Sequence, residues 1–108
     1  MMDESRYQRL ADLALRSIEN MLDDVDAEVV DIERAGDVVT LTFADRKKAV
    51  INTQRPTRQI WMAANSRAWH FSYDVARAVW IDDKDPATEL YATLSRILRE
   101  AADVTLTF

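Results

Sequence analysis

Hydrophobic positions recur with a helical period at the start of the chain and with a period of two after it. From Glu4 to Leu22, Tyr7, Leu10, Ala11, Ala14, Ile18 and Met21 follow i, i+3, i+4, i+7 spacing and share one face, which predicts an amphipathic helix. Asp12, Glu19 and Asp23 line up on the opposite side. Val30 and Ile32 then alternate with Asp31 and Glu33, and Ala35-Gly36-Asp37 reads as a turn. Val38–Phe43 puts Val39, Leu41 and Phe43 on one side and Thr40 and Thr42 on the other. After Ala44-Asp45-Arg46, a strand over Lys47–Gln54 points Ala49 and Ile51 inward and Val50, Asn52 and Gln54 outward. Arg55-Pro56-Thr57 breaks it, because proline cannot donate to a ladder. In Gln59–Ala64, Ile60 and Met62 face inward and Gln59 and Trp61 outward. A turn at Asn65-Ser66-Arg67 precedes a short aromatic strand, Trp69–Tyr73, and Ala78–Ile81 is the last strand.

Asp85 followed by Pro86 has the form of a helix N-cap and first helical position, so a second helix is predicted to start there. Leu90, Leu94, Ile97 and Ala101 supply its apolar stripe. The tail Val104–Phe108 is apolar enough to lie against the helices, and Trp80 and the four methionines are assigned to the core. The element order is helix, about six short strands, helix, with short turns that require an antiparallel meander. The predicted fold class is α+β: a two-layer sandwich, one sheet face covered by an N-terminal and a C-terminal helix. A single domain over residues 1–108 is expected.

Composition narrows the chemistry. A chain of 108 residues buries roughly 60–70% of its unfolded surface. Neither a long apolar run nor a secretory or transit leader is visible, so a cytoplasmic protein without a membrane partner is expected. The absence of cysteine removes disulfides, thiolate metal sites and cysteine nucleophiles, and the one histidine, His70, cannot form a multi-histidine site. Net charge is −5, but residues 1–33 hold ten acids and three bases, which is −7, leaving +2 for the remainder. Such polarity favours positive partners and argues against nucleic acid.

The acids concentrate where the first helix should end. Glu19 precedes Asp23, Asp24 and Asp26, and Asp31 and Glu33 follow on the first strand. A helix C-terminus is already negative, so each carboxylate there costs about 0.3–1 kcal/mol. That placement points to an outside cation, either an oxygen-preferring metal ion or a basic protein surface. The interleaved glycine of a calcium loop is missing. A second candidate is the outward set Asn52, Gln54, Gln59 and Trp61, an aromatic flanked by amides as in protein contacts. His70 reads as an ordinary surface histidine, with support of this contact as the lesser alternative, and Trp69, Phe71 and Tyr73 as core rather than a base-stacking platform.

The run Ile51-Asn52-x-Gln54-x-Pro56-x-x-Gln59-Ile60-Trp61, with Arg9-Leu10-Ala11-Asp12, Leu22-Asp23-Asp24-x-Asp26, Leu41-Thr42-Phe43 and His70-Phe71, resembles the bacterial frataxin (CyaY) family nearly end to end. The resemblance implies the sandwich argued above. It implies weak, reversible binding of Fe2+ and Fe3+ by a ridge comprising Glu19, Asp23, Asp24, Asp26, Asp31 and Glu33. It also implies docking on the cysteine desulfurase and the iron–sulfur scaffold complex, with Asn52, Gln54, Gln59 and Trp61 as sheet contacts. The expected role is an iron-binding regulator of iron–sulfur cluster assembly, not an enzyme, monomeric without iron. The alternatives are a metal-independent interaction module using the sheet face and, ranked last, a ferroxidase or iron store.

Overall fold

The computed structural model describes residues 2–106. Helix α1 (Glu4–Leu22) starts at Asp3, whose carboxylate accepts the Arg6 N–H at 2.8 Å, a favourable N-cap. Tyr7, Ala11, Ala14, Leu15, Ile18 and Leu22 are buried. Leu10 and Met21 sit at the margin of that face.

Seven strands follow: β1 (Val30–Ala35), β2 (Val38–Phe43), β3 (Lys48–Gln54), β4 (Gln59–Ala64), β5 (Arg67–Asp74), β6 (Val79–Asp82) and β7 (Asp85–Glu89). They pair in sequence order, antiparallel throughout, so β1 and β7 are the edges. Alternation decides the faces. Val39, Leu41, Phe43, Ala49, Ile51, Ile60, Met62, Trp69, Phe71 and Trp80 are buried on the side covered by α1 and by α2 (Leu90–Ala102). The other face is open. Between β3 and β4, residues Arg55–Thr57 form one turn of 3-10 helix, with Pro56 inside it.

Seven strands stand where about six were expected, and the second helix begins at Leu90 rather than at Pro86. The Asp85-Pro86 pair satisfies the local rules for a helix start, but Glu89 does the capping: its carboxylate accepts from the Tyr91 and Ala92 N–H groups at 2.8 and 3.0 Å. Asp85 closes a local turn instead, accepting from the Ala87 N–H and the Thr88 hydroxyl. Pro86 is tolerated because β7 is an edge strand whose outer donors are not needed. Val104 and Leu106 pack on the core as expected of the tail, and so does Met2, while Met62 is buried within it. Met1, Thr107 and Phe108 lie outside the described residues.

Candidate functional site

The last turn of α1 contains no base, and its C-cap is Asp23 itself. Residues 23–29 then make two turns down to β1. The Val25 N–H bonds the Leu22 carbonyl at 3.1 Å, and the Val29 and Val30 N–H groups bond the Asp26 carbonyl at 2.9 and 3.0 Å. Val25 packs against the core and pins the link, which leaves Asp23, Asp24 and Asp26 exposed around it. Asp26 accepts the Glu28 N–H at 2.9 Å. Among the described residues, no ion pair engages Asp23, Asp24, Asp26, Asp31 or Glu33.

Glu19 is different. Its carboxylate meets Arg34 Nη1 at 2.9 Å, and Arg34 Nη2 meets Asp12 at 2.6 Å. Arg34 therefore bolts α1 to β1 and neutralises the upper part of the acidic stripe. Its Nε–H also donates to the Gly36 carbonyl at 3.0 Å. The Arg34 hydrogen bond holds the Asp12 carboxyl below its usual range, and Glu19 foremost raises the Arg34 guanidinium. The residue was overlooked in the sequence although its parity was legible. Like Val30 and Ile32, it faces α1, and an inward arginine opposite Asp12 and Glu19 implies a pair.

Asp31 and Glu33, at the alternate positions, lie beside Thr42 and Thr40 on the open face. The acidic set thus wraps around the β1 edge rather than forming one straight row. Among the described residues, no three Asp, Glu or His side chains converge enough to enclose a metal ion. A cation there would meet separate, hydrated carboxylates.

Loss of the arginine bolt has a definite consequence. Arg34→Met is expected to cost about 1–2 kcal/mol, because it leaves the half-exposed Glu19 carboxylate without its cation and Asp12 with Arg16 alone, at 2.7 Å. The sign of the pH effect follows from Asp12. Its folded value is depressed, so its contribution is present above the unfolded carboxyl range, roughly pH 4, and is lost as pH falls through the folded value. Denaturant unfolding of wild type and Asp12→Asn should therefore differ at neutral pH and converge in acid.

The sheet set is assembled by register. Asn52 lies opposite Trp61, which lies opposite His70; Gln54 lies opposite Gln59, which lies opposite Ser72. Trp61 is half-buried and stacks on His70. Gln59 departs from its expected role as an available amide. It points outward but is buried, with its carbonyl oxygen taken by the Trp61 indole N–H and its nitrogen by Ser72 and Asp83. Ser72 and Asp83 were not singled out in the sequence.

The model of the frataxin-like domain matches residues 1–104. The chain belongs to the frataxin-like family. It is 37% identical over 110 residues to the iron-sulfur cluster assembly protein CyaY of Delftia acidovorans, covering 99% of this chain and 97% of that one. It is 39% identical over 101 residues to the CyaY of Paraburkholderia xenovorans, with 94% and 92% covered. Frataxin from Psychromonas ingrahamii superposes with a TM-score of 0.86 at 30% identity, over 97% of this chain and 96% of that one. Trimeric frataxin from the yeast Saccharomyces cerevisiae, complexed with ferrous iron, superposes at 0.68 with 25% identity, over 96% and 89%. The family is one of iron–sulfur assembly proteins rather than of classical enzymes. No described helix is long and apolar enough to cross a membrane.

Proposed function

We propose that this chain binds ferrous and ferric iron weakly at the acidic end of α1 and β1, docks on a cysteine desulfurase through that end and through the open sheet face that carries Asn52, Gln54 and Trp61, and so regulates iron–sulfur cluster assembly. One observation carries the reading: Asp23, Asp24 and Asp26 crowd the negative end of a helix without a counter-ion among the described residues, while Asp12 and Glu19 are paired to Arg34. The ligand set is accordingly Asp23, Asp24, Asp26, Asp31 and Glu33, with Glu19 available only when it leaves Arg34. Oxygen donors suit iron, and their separation favours weak and reversible binding. The names of the curated relatives and the ferrous yeast complex support an iron-linked assembly role. Bound iron lowers the negative charge that attracts a basic partner surface, which couples metal occupancy to docking.

Capture of the desulfurase by the tagged chain, with and without ferrous iron under anaerobic conditions, tests this. Capture should be salt-sensitive and altered by iron. Capture indifferent to both would favour the second reading, a metal-independent module whose contact is the Trp61 face, for which the stacked Trp61–His70 pair speaks. We take the chain as one domain that is monomeric before iron is added.

A further inference from the structure

Trp61 is held from two sides. The His70 imidazole lies against its indole, 4.2 Å between ring centroids and 16° from parallel. The indole Nε1–H donates to Gln59 Oε1 at 2.8 Å. Gln59 is itself fixed, because its Nε2 donates to Ser72 Oγ at 3.2 Å and to one oxygen of Asp83. The Ser72 hydroxyl donates to the other Asp83 oxygen at 2.9 Å. The Asp83 N–H donates to the His70 carbonyl at 2.9 Å. Asp83 therefore anchors both supports of the indole, one through Gln59 and one through the backbone of His70.

The amide is what makes this chain of bonds directional. An indole N–H needs an acceptor, and a carboxylate needs a donor. Only one orientation of the Gln59 amide satisfies both. Without the carboxylate, Nε2 keeps only its longer bond to Ser72, whose own hydroxyl has lost its acceptor, so the amide and the ring it anchors are held more loosely. A preset aromatic docks with less loss of side-chain freedom than a mobile one.

We propose that Asp83, on the β6–β7 turn, is a positioning residue that sets Trp61 for partner docking through Gln59 and Ser72. This rests on the reading that the open sheet face contacts the desulfurase. The test compares Asp83→Ala, Asp83→Asn and Trp61→Ala by the NMR signal and solvent exchange of the Trp61 indole N–H, and by affinity for the desulfurase. In Asp83→Ala the indole N–H should exchange faster and affinity should fall about fivefold. Asp83→Asn removes the charge but keeps an oxygen for Gln59, so it should restore most of both. Asp83 is exposed, so its truncation leaves the core untouched.

An unchanged indole signal in Asp83→Ala overturns the proposal. So does a freed indole with unchanged affinity while Trp61→Ala binds weakly; in that case the docking reading stands and the positioning role alone fails. If Trp61→Ala also binds normally, the docking reading fails and the positioning role falls with it.

Discussion

Tyr7→Ala should leave the protein barely folded. Tyr7 is 1% exposed and crosses from α1 to the corner between β3 and β4. Its hydroxyl donates to the Gln59 carbonyl at 2.6 Å and accepts the Gln54 N–H at 3.1 Å. Its ring meets Trp80 edge to face, 6.1 Å between centroids. Truncating a buried aromatic costs about 3–5 kcal/mol, against a total stability of roughly 5–15 kcal/mol for a domain. The lost hydrogen bonds to those two backbone groups add to that loss. Tyr7→Phe separates the contributions. It keeps the ring and removes only the hydroxyl, so about 1–3 kcal/mol should be lost. Chemical denaturation of both variants checks the pair, and a Tyr7→Phe variant as stable as wild type would show that the hydroxyl bridge contributes little. The bridge also fixes the backbone of Gln54 and Gln59 beneath the proposed sheet contact.

The double substitution Asp23→Lys/Asp24→Lys should make the protein more stable and less functional at once. Two carboxylates at the negative end of α1 become two cations, each favourable there by about 0.3–1 kcal/mol on top of the repulsion relieved. Both residues are exposed and outside the core, so nothing else in the packing changes. Thermal unfolding should shift upward by several degrees, at about 4–8 °C per kcal/mol for a domain of this size. Affinity for the desulfurase should fall roughly tenfold or more, because two attractive charges become repulsive. A variant that gains stability and keeps its affinity would mean that the carboxylates serve solubility rather than recognition.

Much of the fold was legible in period and punctuation. The bounds of α1 follow from its hydrophobic period alone, and strands β2 to β5 follow from alternation and short turns. The face of each strand then follows from parity, which placed Trp61 outside and Phe71 inside. What escaped depends on contacts distant in sequence. Asp85-Pro86 obeys local capping rules, but pairing with β6 turned it into an edge strand. Gln59 is outward by parity, yet Ser72 arrives from β5 and Asp83 from the β6–β7 turn to enclose its amide. Glu19 belongs to the acidic stripe by spacing, and only the approach of β1 brings Arg34 to it. The unpaired Asp23, Asp24 and Asp26 were legible because helix electrostatics is local: the conflict between side-chain charge and backbone dipole is visible in the order of residues.

The central claim is that this conflict exists for an outside cation. Anaerobic titration of the isotope-labelled chain with ferrous iron, read by backbone NMR, tests it directly. In wild type the signals of residues 19–33 should shift or broaden while the rest stay in place, and in Asp23→Lys/Asp24→Lys they should respond far less. Unchanged signals in residues 19–33 of wild type, or an equal response in the double variant, would contradict it.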